Sequence, residues 1–164
     1  MDYSVFGLPM WQTLQRYNAL SSEERVMFWR AACLLPFVRV KLRFGGYKKT
    51  QQWLQRKLDD RLQLSSTAQD SSPVLQMTCR MVRAVEHYSP GQGTCLEQSL
   101  LLWYLLQSQS IPAVVCIGVR KQSARFEAHA WVEQNGVALN QQDQEHRHYA
   151  AFESEPLNPP SELP

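Results

Sequence analysis

The sequence has few cysteines and no pattern that would pair them. Cys33, Cys79, Cys95 and Cys116 make no CxxC, and their spacings match neither a zinc site nor a disulfide framework. Each sits among apolar residues, as reduced thiols of a cytoplasmic protein do. A secretory signal is also missing: Met1-Asp2-Tyr3 has no basic segment followed by a short apolar core. No apolar run is long enough to span a bilayer, because Arg30, Pro36, Arg39 and Lys41 interrupt the stretch from Val26 to Leu42. Net charge is only +2, so no nucleic-acid partner is expected. There is no internal repeat. One local absence is large: no acidic residue lies between Glu24 and Asp59, an interval that holds Arg25, Arg30, Arg39, Lys41, Arg43, Lys48, Lys49, Arg56 and Lys57.

What is present reads as one soluble domain. The chain has 164 residues, 44% of them hydrophobic and 20% charged, enough to bury a core. Pro9 suits a first helical turn, and Trp11, Leu14, Tyr17 and Leu20 follow at helical spacing. Ser21 and Glu24 have capping-box spacing and start a helix that Pro36 is expected to kink or end. Phe37 to Phe44 fits helix or extended chain equally, Gly45-Gly46 is a break, and residues 47–64 read as helix again. The polar stretch 65–72 is a connection, and Ser72-Pro73 opens a helix reaching Tyr88 with Val74, Met77, Met81, Val82 and Val85 as its stripe. Residues 113–119 are short and β-branched, a buried strand, and residues 121–125 read as a polar loop. Ala128 to Glu133 is the next strand, Asn135-Gly136 is a hairpin turn, and residues 137–139 return as its partner. The expected fold class is α+β: a helical, basic part over residues 1–64, then a core over 73–152 in which a central helix packs on a small antiparallel sheet. Residues 153–164, with Pro156, Pro159, Pro160 and Pro164, are expected to form a disordered tail.

The chain is organised around residues 90–106. Thr94 and Glu97 again have capping-box spacing, which makes Thr94 the N-cap and Cys95 the first residue of a helix. Leu100 to Leu106 is apolar nearly all round, so that helix belongs inside the molecule. A thiol at a helix N-terminus faces unpaired N–H groups and the positive end of the helix dipole, and both favour thiolate. The plain alternative is a small core residue.

A cysteine nucleophile needs a base and a group that orients the base. His129 is the candidate base; alternation puts it on one face with Trp131 and Glu133, and Ala128, Ala130 and Val132 on the other. His87, His146 and His148 compete with it. Asn140, where the return strand ends, could accept from an imidazole N–H, with Gln141 and Asp143 as substitutes. The Cys95 backbone N–H, with Gln92 as a second donor, would hold an oxyanion. His146-Arg147-His148 beside Asp143 and Glu145 is the only metal-like grouping, and nothing else supports it. No metal or cofactor is expected. The basic interval reads as a solvated face, as a docking face for an acidic peptide or partner, or as weak contact with anionic lipid through residues 39–57.

Residues 94–100 (TCLEQSL), 110–113 (SIPA), 117–120 (IGVR) and 128–133 (AHAWVE) resemble the transglutaminase-like leader peptidases of lasso-peptide biosynthesis, the B proteins in their split form. The likeness is firm from about residue 83 to 140 and looser over the helical half. It implies a papain-like core and a cysteine peptidase that removes the leader from a ribosomally made precursor. It implies Cys95 as nucleophile and His129 as general base. It also implies partners: the precursor peptide, a small separate leader-recognition protein, and a macrolactam cyclase that uses the freed amine. The family's acid is an Asp after the hairpin, and this chain has Gln141 there. Asn140 or Asp143 then takes that role, or the chain is slow or inactive. Acyl transfer to an amine, and a binding protein that kept the fold without the chemistry, stay open.

Overall fold

A computed structural model describes residues 17–62, 71–89, 91, 93–122, 125–140 and 150–153. Among the described residues there are three long helices and a four-stranded sheet: α1 (Ser22–Leu62), α2 (Ser71–Tyr88), α3 (Cys95–Gln107), β1 (Val114–Gln122), β2 (Arg125–Gln134), β3 (Val137–Ala138) and β4 (Ala150–Glu153). The architecture is α+β, with a helical first half and the sheet against the central helix.

α1 begins at the expected capping box. Glu24 N–H donates to Ser21 Oγ at 3.2 Å and Ser21 N–H to Glu24 Oε2 at 2.8 Å. Of the two outcomes expected at Pro36, a kink or an end, the helix does not end. A proline removes one intrahelical hydrogen bond, but Leu35 and Val38 on either side are fully buried, and that burial holds the helix together. The stretch 37–44 is therefore helical. The break comes at Gly46, where φ is 69° and ψ −178°. That left-handed φ favours glycine, and the buried Thr50 hydroxyl donates to the carbonyl the break exposes, at 2.8 Å.

α2 starts at Ser71 and carries Pro73 in its first turn. It buries Thr78, Met81, Val82 and Val85, and Arg80 pairs with Glu24 of α1. α3 is the centre of the core: every residue from Ser99 to Leu106 is buried. Burying one leucine contributes about 1.5–3 kcal/mol, so a helix with leucine on all sides is stable only when surrounded. Met27, Ala31, Leu35 and Val38 of α1, Met81 and Val85 of α2, and Val115 and Val132 of the sheet surround it.

The sheet is antiparallel in the order β3-β2-β1-β4. β1 and β2 run further than expected. Gln122 pairs with Arg125, so only residues 123 and 124 separate the strands where the sequence suggested a five-residue loop. The polar ends stay in the sheet because one long register supplies their backbone hydrogen bonds. The Asn135-Gly136 turn has φ of 50° and 76°, the paired positive angles of a tight hairpin. β4 was not expected; it pairs with β1 at Val119, Gly118 and Ile117. Its last residue is Glu153, and the rest of the proline-rich tail lies outside the described residues. So do residues 1–16, most of the 65–72 connection, Gln92, Gln141, Asp143, Glu145, His146 and His148. Among the described residues no helix is long and apolar enough to cross a membrane.

Candidate active site

The start of α3 forms as its spacing requires. Thr94 has extended backbone, its Oγ1 accepts from Glu97 N–H at 3.2 Å, and Glu97 Oε2 accepts from Thr94 N–H at 3.2 Å. Cys95 is the first helical residue and is half-buried. Its side chain thus stands where the helix presents unpaired N–H groups.

Below the cap lies a cluster the sequence reading did not contain. Arg39 of α1 donates through Nε to Glu97 Oε2 at 3.2 Å and through Nη1 to Ser89 Oγ at 3.1 Å. Arg39, the first residue of the basic stretch 39–57, therefore points inward. Glu86 of α2 joins the cluster. Burial pushes its carboxyl up to about 7; Arg39 opposes the shift, Glu97 adds to it, and a hydrogen bond from Gln98 opposes it. Glu86 Oε1 is buried with no hydrogen-bond partner. A Cβ at Gly93, two residues before Cys95, would lie 3.4 Å from Arg39 Nη2, 3.6 Å from Glu97 Oε2 and 4.0 Å from Glu86 Oε1. The loop before the cysteine thus rests directly on these charges. Two open clefts flank it, one lined by Arg83, Glu86, His87, Gln98 and Asn140, the other by Arg39, Leu42, Arg43, Tyr47 and Leu96.

Asn140 reaches the cysteine helix by a different bond from the one expected. Its Oδ1 accepts from Val132 N–H at 2.8 Å, and its Nδ2 donates to Ser99 Oγ at 3.0 Å. Ser99, one turn beyond Cys95, donates in turn to the Cys95 carbonyl at 2.8 Å. Cys95, Ser99 and Asn140 form one hydrogen-bonded chain from the helix to the hairpin. The i, i+4 spacing of Cys95 and Ser99 was the signal that could have found Ser99.

His129 lies on the other face of β2. Val132 packs into the core beside α3 together with its partner Val115, whereas His129 stacks on Trp131 with ring centroids 6.1 Å apart. Trp131 Nε1 donates to Glu133 Oε1 at 2.6 Å, and Arg120 pairs with Glu127 at 2.7 Å on the same face. Cys116, opposite Trp131, is held at about 11 by burial and by the charge and hydrogen bond of Glu133. The bonds of Cys95 and Asn140 described above run to Ser99 and Val132. His87 is exposed in the last turn of α2. Among the described residues no cluster of three or more His, Cys, Asp or Glu could hold a metal ion.

No curated protein and no solved structure shows a significant match to the chain. A family model does match, over residues 35–154. Its members are usually cysteine proteases or acyl transferases, and the match takes in the capped cysteine helix, the strand of His129 and the helical segment that carries Arg39. By that match, over most of its length, the chain belongs to the transglutaminase-like superfamily.

Proposed function

We propose that the protein is a cysteine peptidase that removes the leader from a lasso-peptide precursor, working with a separate leader-recognition protein and a macrolactam cyclase. The observation that carries this reading is Cys95 at the first position of a capped, buried helix in a transglutaminase-like domain. In this reading His129 takes the Cys95 proton, and the thiolate attacks the scissile carbonyl carbon. The Cys95 N–H at the helix start stabilises the oxyanion. His129 then gives its proton to the leaving amine, which departs as the core peptide, and water hydrolyses the thioester to free the leader acid. The reading requires the imidazole to reach Cys95 Sγ from the face of β2 opposite Val132, which takes a movement of the strand and not the tightening of a long hydrogen bond. Asn140 serves here as a positioning residue that holds the hairpin on the cysteine helix, and orientation of His129 falls to Gln141 or Asp143.

Two further readings keep a specific motive. Glutamine at 141, where the family's acid stands, favours a binding protein that has the fold without the chemistry. The superfamily's acyl transferases motivate transfer to an amine in place of water. The deciding experiment incubates precursor and recognition protein with wild type, Cys95→Ala and Asn140→Ala. Cleavage that disappears in Cys95→Ala, with a free acid on the leader by mass, supports the peptidase. An amide product means acyl transfer. No cleavage by wild type, while the recognition protein binds leader, means a binding protein.

A further inference from the structure

α1 is apolar on two faces. Its inner face, with Met27, Ala31, Leu35 and Val38, is buried in the core. At 3.6 residues per turn, Val26, Trp29, Cys33, Phe37, Val40 and Phe44 fall on a second stripe, about 80° wide and about 27 Å long. These residues are not buried: Cys33 is exposed, and the other five are between 55% and 84% exposed. A contiguous apolar ridge of this kind marks an interaction surface. Arg30 borders it on one side and Arg43 on the other; Lys41 holds its ammonium over the Trp53 ring, and Glu23, one turn before Val26, is the only acid beside the ridge among the described residues.

That charge pattern selects among occupants. A second copy of the chain would press Arg30 and Arg43 against their own copies, with only Glu23 at the ridge's end to oppose them. A protein partner would have to present an apolar strip and acids in register with it. An anionic lipid surface provides both along the whole ridge: aromatic and aliphatic side chains enter the boundary between headgroups and acyl chains, and arginine and lysine stay at the phosphates. Trp29 has the character of an interfacial residue, half-exposed with its indole N–H donating to Tyr17 Oη at 2.9 Å. We propose that the outer ridge of α1 binds an anionic phospholipid surface peripherally. The ridge is centred on Cys33 and Phe37 and overlaps the basic stretch 39–57 at its first residues. The proposal does not depend on the peptidase reading.

The test is co-sedimentation of the full chain with vesicles of phosphatidylcholine alone and of equal parts phosphatidylcholine and phosphatidylglycerol. Binding to the mixed vesicles and little to the neutral ones is expected. Phe37→Ser with Phe44→Ser should weaken it by at least about tenfold, the worth of one buried phenylalanine. Arg30→Gln should weaken it about fivefold. All three side chains are exposed, so an unchanged circular dichroism spectrum is expected and confirms folded variants. No binding to mixed vesicles overturns the proposal, as does a double serine variant that binds like wild type. A concentration-dependent dimer that the double variant abolishes, seen by sedimentation velocity, assigns the ridge to a second copy instead.

Discussion

Arg39 and Glu97 are 58 residues apart in the chain, yet the Arg39 Nε–H donates to the same Glu97 oxygen that caps α3 at Thr94. One carboxylate oxygen therefore joins the basic helix to the start of the cysteine helix. Arg39→Ala removes that bond and the one to Ser89, and leaves Glu97 beside Glu86 without its cation. Losing a hydrogen bond to a charged group costs about 1.5–3 kcal/mol. Urea unfolding should show a loss of that order, and Cys95 should become more open to alkylation as the cap loosens. Arg39→Lys should recover part of the stability, because one ammonium cannot hold Glu97 and Ser89 in the same fork.

Asn140→Ala tests the link between hairpin and helix. It leaves the Val132 N–H without its acceptor at a buried residue and removes a donor from Ser99. A buried donor left unsatisfied costs about 1–3 kcal/mol. Asn140→Asp keeps an acceptor for Val132 but offers Ser99 no donor. It should therefore recover about half of the loss by urea unfolding, taking the two bonds as of similar worth.

The parts legible in the sequence are those whose partners lie close along the chain. Thr94 with Glu97 and Ser21 with Glu24 are three residues apart, and Asn135-Gly136 carries its own turn, so each forms as its spacing implies. The face shared by His129, Trp131 and Glu133 follows from period-two alternation. The rest depends on contacts between distant segments. Pro36 stays within a helix because Leu35 and Val38 are buried against other elements, which no local rule sees. β4 is a strand because β1 offers it an edge. Arg39 looks like one surface cation among nine until α1 and α3 are packed, when its partners at positions 89 and 97 appear.

Thiol reactivity separates activation from mere access. Cys33 is exposed and Cys95 half-buried, so access alone would make Cys33 the faster of the two. Cys79 and Cys116 are both held above the usual thiol range, chiefly by burial. Limited alkylation at pH 7, mapped by mass spectrometry, should label Cys95 before Cys33 if the helix start activates it. Cys116 should react last. Cys33 labelled ahead of Cys95 would count against an activated nucleophile.

Glu86 makes stability fall with rising pH. Its carboxyl titrates at about 7 in the folded chain, chiefly because of burial, against 4.5 for the ordinary group. Below the lower value both states hold the proton and the residue has no effect. Between the two, the folded state binds more protons than the unfolded state, so stability declines as pH rises. Above 7 the full cost is present. Glu86 is only half-buried, so solvent screening reduces that cost. Glu86→Gln keeps the shape and removes the ionisation. The variant should match wild type in melting temperature at pH 4 and exceed it by about 2–4 °C at pH 8, the shift that about 1 kcal/mol produces in a chain of this size. A variant less stable than wild type at pH 8 would mean that ionised Glu86 is held by Arg39 more strongly than burial opposes it.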